Sequence, residues 1–315
     1  MSVGVIAHLH NPTAADVVEM AVTAEEAGAD WVGVADAFWW RDMWMLLVEV
    51  ARATSTIAIG PSVTNAYLRH PFHTASALAT LQEYAPGRVF LGIGAGGSEV
   101  TAAAGIPRAD APDRVRELIE TIGRVAAGEA LDPESGRRLE VELAPVPVLV
   151  AARGSRLLRI AGAVADRVLL LSVPDSDLER SAGLVHEGAA DRSDPPELVW
   201  APLVEHDPSL RTKLRNIAVY AAINSRRVVR ASWGLDAEGV ERIRSALVRG
   251  GTEAALQLVP DEALDDLVLA DPDPAAAAAR GRSIGATSIV VPCHDPATVG
   301  DHIAWARDVV RLMVE

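Results

Sequence analysis

The chain has 315 residues, of which 50% are hydrophobic, so it carries enough apolar side chain for a sizeable core and is neither a disulfide-stapled module nor a disordered segment. Its 43 acidic residues outnumber its 29 basic residues, which gives a net charge of −14, and Lys213 is its one lysine. A chain with this charge is poorly suited to a phosphate backbone, so we expect no nucleic-acid partner.

The cysteine content and the first ten residues bear on the expected cellular location of the protein. Cys293 is the single cysteine, which rules out an intrachain disulfide and a cysteine-rich metal site. The opening residues MSVGVIAHLH lack the basic region and long apolar run of a secretory signal, and no stretch reaches roughly 18 uninterrupted apolar residues. We therefore expect a cytoplasmic protein without a membrane partner.

Short runs rich in valine and isoleucine alternate with amphipathic stretches, which is the order that builds a parallel sheet covered by helices. Eight strands are predicted, at Val3–Ala7, Trp31–Ala35, Ile57–Val63, Arg88–Ile93, Val146–Ala151, Arg167–Leu171, Glu197–Leu203 and Ser288–Pro292. Helical segments are predicted between and after them, at Pro12–Ala27, Asp42–Ala53, Thr74–Tyr84, Pro112–Ala127, Arg156–Ala165, Asp177–Glu187, Pro208–Arg249 and Ala297–Val314.

Eight strand–helix repeats that run to both ends of the chain predict an α/β fold, a closed (β/α)₈ TIM barrel, as a single domain over residues 1–315. The surplus length lies between the seventh and eighth strands, where about 208–271 holds far more residues than one crossover needs. We therefore predict a mostly helical insertion there.

In such a barrel, the active site lies at the carboxyl ends of the strands. The first strand ends at His8 and His10, a pair with the alternation of ligands in a zinc hydrolase. A zinc site needs further ligands, and the ends of the fifth and sixth strands carry no histidine. No metal site is predicted, and the alternative is that His10 faces the cleft while His8 packs beside it.

Two glycine-containing strand ends are candidate ligand sites. The run Gly92–Gly97 lacks the full dinucleotide fingerprint, but it lets a flat ring or a phosphate approach the backbone; a glycine-rich barrel turn explains it equally well. Gly154 and Ser155 precede a predicted helix, with Arg153 and Arg156 adjacent, which suits an anion at the helix N-terminus. The alternative is an ordinary cap by Ser155.

Several segments together resemble a known family. They are Gly60–Pro71, Pro86–Gly96, Ala24–Asp30, Ala151–Gly154 and Gly285–Thr287. The chain resembles the luciferase-like flavin/deazaflavin superfamily, and within it the coenzyme F420 branch of methylenetetrahydromethanopterin reductase and F420-dependent glucose-6-phosphate dehydrogenase. The resemblance implies a TIM barrel with the cofactor at the strand ends.

The resemblance also implies which residues bind the cofactor, F420 or alternatively FMN. A bulge in the third strand with a non-prolyl cis peptide bond matches Ser62 and Val63. The implied cofactor-binding residues are Asp36, Ser62, Val63, Thr64, Asn65, Gly94, Ala95, Gly96, Arg153, Gly154 and Ser155. The anionic tail of F420 would require arginines near one rim, for which Arg153 and Arg156 are the candidates.

The candidates for the proton donor or acceptor are Asp36 and His10, since both are predicted at strand ends facing the ring. The chain departs from the family at Ala37, where reductases often carry a histidine. Gly97 replaces a catalytic glutamate of the sugar-phosphate dehydrogenases, and the near absence of lysine removes their phosphate ligands, so glucose 6-phosphate is not the expected substrate.

Trp39 and Trp40 are the candidate walls of an apolar substrate pocket, although clustered tryptophans also serve in a core or dimer interface. The predicted function is an F420-dependent oxidoreductase that moves a hydride between the deazaflavin C5 and an unidentified small organic substrate. The alternatives are an FMN-dependent luciferase-like monooxygenase and a non-catalytic cofactor-binding barrel. Relatives of this type are commonly homodimers, which is the expected assembly.

Overall fold

The computed structural model describes residues 1–7, 13–107, 110–204, 210–269 and 272–315. The strands of these ranges are β1 (Ser2–Ala7), β2 (Trp31–Val34), β3 (Ala58–Pro61), β4 (Thr64–Asn65), β5 (Leu91–Gly94), β6 (Val148–Ala151), β7 (Arg167–Leu171), β8 (Glu197–Ala201), β9 (Leu203–Val204), β10 (Val268–Leu269) and β11 (Ser288–Cys293). The pairing between them is parallel throughout.

Nine of these strands form one sheet in the order β3-β2-β1-β11-β8-β7-β6-β5-β4. The two ends of this order, β3 and β4, are consecutive parts of the third barrel strand, which is interrupted only by Ser62 and Val63. A bridge between Ile59 and Val89 joins the third strand to the fourth. The sheet therefore closes on itself, which confirms the predicted (β/α)₈ barrel.

The barrel interior is a packed core below the mouth. Trp31 and Phe90 lie edge to face inside it, with ring centroids 5.6 Å apart, among aliphatic side chains from the other strands. Gly4 makes room for this pair, because a Cβ at that position would lie 2.0 Å from the indole ring of Trp31. A ligand therefore has space only above this layer, at the carboxyl ends of the strands.

Helices cover the outside of the barrel and bury a second apolar layer against it. Their bounds are α1 (Ala14–Glu26), α2 (Met43–Ala53), α3 (Pro71–Tyr84), α4 (Ser98–Ala103), α5 (Ala111–Ala126), α6 (Ser155–Val164), α7 (Asp175–Gly188), α8 (Leu210–Asn224), α9 (Arg227–Ser232), α10 (Ala237–Leu256), α11 (Asp261–Asp265), α12 (Pro274–Ser283) and α13 (Val299–Val314). None of the helices in the described ranges combines the length and apolarity needed to cross a membrane.

The long connection between the last two barrel strands, β8 and β11, is mostly helical, as predicted. It contains α8 to α12, and the short strands β9 and β10 pair with each other within it. Its helices enclose an apolar cluster of their own around Val219, Trp233 and Ile243. The sequence did not predict the β9–β10 pair, because two-residue strands carry no periodic signal, nor α12, whose run of alanines has no amphipathic pattern.

Candidate active site

Asp36 follows β2 at the mouth of the barrel. Its carboxylate is partly buried, and the Thr64 hydroxyl donates a hydrogen bond of 2.7 Å to Oδ2. Burial raises the pKa of Asp36 above its usual value, and the neighbouring Asp42 carboxylate raises it further, against the opposing effects of Thr64 and the Arg69 charge. Asp36 is thus a carboxyl group that can hold a proton at a higher pH than an exposed aspartate.

The third strand bulges between β3 and β4. The peptide bond between Ser62 and Val63 is cis, at the position where the resemblance implied such a bond. Ser62 and Thr64 are 4% and 1% exposed, and the buried Ser62 hydroxyl has no hydrogen-bond partner within the described part of the chain. Asn65 is also buried, and its Oδ1 accepts bonds of 3.0 Å from the amides of Tyr67 and Leu68, which fixes the turn after the bulge.

The end of β5 lies against this bulge without an intervening side chain. A Cβ on Gly94 would lie 3.1 Å from Val63 Cγ2 and 3.3 Å from the Ala151 carbonyl oxygen. Gly96 has a φ of +71°, and a Cβ there would lie 3.1 Å from Asn65 Cβ. The glycines of this loop therefore let the end of β5 and the loop after it lie close against Val63 and Asn65, where a larger residue would push them apart.

The segment Arg153–Ser155 leads into α6. Gly154 is the N-cap and makes no side-chain capping bond, while Ser155 is the first residue of the helix and accepts a 2.5 Å hydrogen bond from Arg180 Nη2. Ser155 therefore does not cap the helix, and the alternative of an ordinary serine cap is wrong. The α6 amides lie at the positive end of a helix dipole, where an anion is stabilised.

The arginines near α6 differ from the expected pair. Arg153 is exposed at the rim, but Arg156 holds Asp113 through contacts of 2.6 and 2.7 Å, so its charge is already compensated. Arg180 reaches the α6 N-terminus from α7, and its buried Nη1 makes no hydrogen bond within the described residues. Sequence reasoning missed Arg180 because a helical arginine 25 residues from Ser155 gives no local signal.

A cleft of about 690 Å³ opens beside Asp36. The lining residues come from the segments after β2 and β4 and from the end of α4: Asp36, Ala37, Phe38, Trp40, Asp42, Leu68, Arg69, His70, His73, Ala103 and Ala104. Asp36 thus connects the bulge of the third strand with the cleft, since it contacts Thr64 of the bulge and also lines the cleft.

Of the two candidate pocket tryptophans, Trp40 lines the cleft and Trp39 does not lie among its lining residues. Trp39 is 46% exposed and packs edge to face on Phe38 and Trp40, with centroid distances of 4.9 and 6.5 Å. Phe38 is the neighbouring aromatic side chain that lines the cleft instead. No periodicity distinguishes these positions, because they lie in a loop.

The polar groups of the cleft are largely paired with one another. Arg69 Nη2 lies 2.7 Å from Asp42 Oδ2, and Asp42 also caps α2 through the Trp44 and Met45 amides. His70 is the N-cap of α3, and its Nδ1 accepts a 3.3 Å bond from the Phe72 amide, which leaves Nε2 as the protonated nitrogen of the neutral ring. The His70-Pro71 pair at the end of the third strand was the available signal for this cap.

Position 37 offers no imidazole, and the alanine there is 4% exposed. The other predicted proton donor, His10, lies outside the described residues. The assignment of Asp36, His10 and the cofactor-binding residues therefore stays a prediction. The structure shows that Asp36 and the glycine loop after β5 both lie beside the bulge of the third strand.

A family model described as luciferase-like monooxygenase matches residues 1–284. The chain belongs to the luciferase-like family. It is 30% identical over 258 residues to the 5,10-methylenetetrahydromethanopterin reductase of Archaeoglobus fulgidus, across 77% of this chain and 78% of that protein. It is 36% identical over 201 residues to an F420-dependent glucose-6-phosphate dehydrogenase of Beutenbergia cavernae, across 56% and 58%. These matches confirm the resemblance carried by the motifs.

Solved structures of the luciferase-like family share the fold. The coenzyme F420 dependent tetrahydromethanopterin reductase of Methanopyrus kandleri superimposes with a TM-score of 0.79 at 22% identity, over 98% of each chain. An F420-dependent secondary alcohol dehydrogenase gives a TM-score of 0.76 at 19% identity, over 98% of each chain. At this identity, the agreement establishes the luciferase-like barrel.

Proposed function

We propose that this protein is an F420-dependent oxidoreductase that transfers a hydride between the deazaflavin C5 and a carbon atom of a small, uncharged organic substrate. The observation that carries the proposal is the position of Asp36, whose carboxylate accepts the bond from Thr64 of the bulge and also lines the cleft. The names of the relatives support the cofactor, since both the reductase and dehydrogenase groups contain enzymes described as F420-dependent.

The residues present fit this cofactor. The bulge at Val63 packs against Gly94 at the end of β5, and the buried Ser62 hydroxyl lacks a partner that a ring heteroatom could supply. The α6 amides, and the Arg180 guanidinium that contacts Ser155 at the start of that helix, would be the donors for a phosphodiester. F420 supplies the hydride chemistry when bound; the protein supplies orientation, exclusion of water and a proton.

Asp36 is the proposed proton donor for substrate reduction and the acceptor in the reverse direction. The Thr64 hydroxyl donates to Oδ2, so Oδ1 is left to carry the proton. The raised pKa of Asp36 favours the protonated acid at a given pH, which is what proton donation to a developing alkoxide or amide anion requires. His10 keeps its place as the second candidate.

The cleft favours a substrate without a phosphate group. Its walls carry two carboxylates, Asp36 and Asp42, and Arg69 is already paired with Asp42. Bringing a dianion into such a site costs desolvation energy, and no described lining residue offers a free guanidinium to offset it. Phe38 and Trp40 instead offer apolar surface, which suits an uncharged ketone, secondary alcohol, imine or enone.

Titration of the purified protein with F420 and, separately, with FMN tests the cofactor. We expect binding of F420 and turnover of reduced F420 with at least one compound from a panel of uncharged ketones, imines and enones, followed by the change in F420 absorbance. Tight binding of FMN without binding of F420 would instead support the monooxygenase alternative. Binding of F420 without turnover of any substrate would support the non-catalytic barrel.

The homodimer and the cytoplasmic location are also proposals, drawn from the family resemblance. Sedimentation or light scattering of the purified protein measures the assembly, and a mass of one chain across the accessible concentration range would contradict the dimer. Fractionation of the source cells measures the location.

A further inference from the structure

The first turn of α7 is held by the insertion. Asp266, just after α11, accepts hydrogen bonds from the Ser176 amide at 2.9 Å and the Ser176 hydroxyl at 2.7 Å. The Asp266 carbonyl accepts the Asp175 amide at 2.7 Å, and Trp233 Nε1 donates to Asp266 Oδ2 at 2.8 Å. The insertion thus caps the first turn of α7.

A second contact joins the insertion to the same turn through Asp177. This carboxylate is 5% exposed, and its Oδ1 accepts a hydrogen bond of 3.0 Å from Arg226 Nε and lies 2.7 Å from Arg226 Nη2 in an ion pair. Arg226 is the N-cap residue of α9, within the insertion. The other oxygen, Oδ2, lies 3.7 Å from Arg180 Nη1, one turn along α7.

Arg180 thus contacts two groups, Ser155 and Asp177, and lies closer to Ser155. Its Nη2 is 2.5 Å from Ser155 Oγ at the start of α6, whereas its Nη1 is 3.7 Å from Asp177. Because Arg226 compensates the charge of Asp177, Arg180 is released to the α6 N-terminus. Without Arg226, the uncompensated carboxylate would attract Arg180 more strongly and draw it from Ser155.

We propose that Arg226 is a positioning residue for cofactor binding: by holding Asp177, it keeps Arg180 at the α6 N-terminus, where Arg180 binds the phosphodiester of F420. The inference rests on the proposed function, because it takes F420 as the ligand. It assigns the insertion a part in cofactor affinity through Arg226, whose described contacts are with Asp177 and not with the start of α6. Binding of the anion would in turn stabilise the docked insertion, since such coupling is reciprocal.

The primary test compares Arg226→Ala with Arg227→Ala, a matched control on the same helix whose side chain is exposed. Dissociation constants are measured by calorimetry at fixed ionic strength for F420 and for the deazaflavin riboside that lacks the phosphate and glutamates. We expect Arg226→Ala to raise the Kd for F420 about tenfold, the scale of a typical coupling, and to leave the riboside Kd and the control variant unchanged. Arg226→Lys keeps the positive charge, so its Kd for F420 should lie between those of the wild type and Arg226→Ala.

The direction in which a third variant changes the F420 affinity distinguishes positioning of Arg180 from a general loosening of the insertion. Asp177→Asn keeps an oxygen for Arg226 but removes the charge that competes for Arg180, so we expect F420 affinity equal to or higher than that of the wild type. If the contact only held the insertion in place, Asp177→Asn and Arg226→Ala would weaken binding together. Thermal unfolding of each variant establishes that it is folded.

The outcomes are distinguishable from those of the proposed function. Failure of the wild-type chain to bind F420 would overturn the proposed function and this inference with it. Wild-type binding of F420 with an unchanged Kd in Arg226→Ala would overturn the inference alone. An equal loss of affinity for F420 and the riboside would overturn it as well, because the effect would then not act through the phosphodiester.

Discussion

The two ends of the barrel each contain a partly buried carboxylate, and the surroundings shift the pKa values of the two in opposite directions. At the bottom, Glu25 accepts bonds of 2.6 to 3.2 Å from the amides of Ser55, Thr56 and Ile57. Burial opposes its ionisation, but these donors outweigh burial and lower the pKa of Glu25 to about 2. At the mouth, Asp36 has one hydroxyl donor, and burial raises its pKa.

The difference shows how one barrel separates stability from chemistry. A carboxylate with three amide donors is fixed in its charged form and ties the end of α1 to the start of β3. A carboxylate that lacks such donors keeps an uncommitted oxygen and can exchange a proton with a substrate. This agrees with the general division of a TIM barrel into a stabilising bottom and a reactive top.

The largest expected effect is that of Asp36→Asn on turnover. The variant retains the bond from Thr64 but cannot donate the proton in the same way, so we expect kcat to fall by about a hundredfold or more. Its unfolding free energy should equal or exceed that of the wild type, because an incompletely satisfied carboxyl group is removed. Steady-state kinetics and urea unfolding measure the two quantities, and full activity in Asp36→Asn would remove this residue from the chemistry.

At the bottom of the barrel, Arg88→Met should affect stability alone. Arg88 donates to the carbonyl oxygens of Ala51, Thr54 and Ile57 and to the Thr54 hydroxyl, over 2.9 to 3.2 Å. Loss of these donors leaves several carbonyl groups unpaired, so we expect a cost of about 3 kcal/mol in unfolding free energy. Arg52→Met, an exposed neighbour on α2, is the control, and an equal effect of both variants in urea unfolding would contradict this role of Arg88.

Glu25→Gln should have a smaller, pH-dependent effect. The folded pKa of about 2 lies below the ordinary value of 4.5, so the stabilisation is present above the ordinary value and is lost as the pH falls towards 2. Partial exposure to solvent limits the cost at neutral pH to about 1 kcal/mol. Urea unfolding should show this gap between wild type and variant at pH 7 and its narrowing in acid. Glu26→Gln, exposed and adjacent, is the control, and a gap that widens in acid would be the contrary result.

The smallest effect is a shift of a pH profile. The Asp42 carboxylate raises the pKa of Asp36, so Asp42→Asn should lower that pKa. If Asp36 is the proton donor, as proposed, reduction of substrate requires protonated Asp36 and its rate falls as the pH rises through this pKa. The falling limb should therefore move to lower pH in Asp42→Asn. The profile of kcat/KM in the reductive direction measures it, and a shift to higher pH would show that loss of the Arg69 pair dominates instead.

The sequence predicted the barrel because its evidence is local: each strand and helix carries its own periodicity, and eight repeats leave few arrangements. The bulge at Ser62 and Val63 was located by resemblance to a family, and the cis peptide bond lies there. Trp40 lines the cleft, and its role as a wall of the substrate pocket stays a prediction, whereas Phe38, His70 and His73 were not identified. Whether these residues line the cleft depends on which loops meet at the mouth of the barrel, and no single segment of the sequence determines that.

The sequence by itself determined the alternation of strands and helices, the helical insertion and the family, since each rests on residues adjacent along the chain. Only the tertiary structure decided which charges are compensated: Arg156 is held by Asp113, while Arg180 reaches Ser155 and Arg226 holds Asp177. Those pairs join residues that are far apart along the chain, and the reach of a charge depends on distance and burial in space. For the same reason, only the fold distinguishes the committed carboxylate of Glu25 from the available one of Asp36.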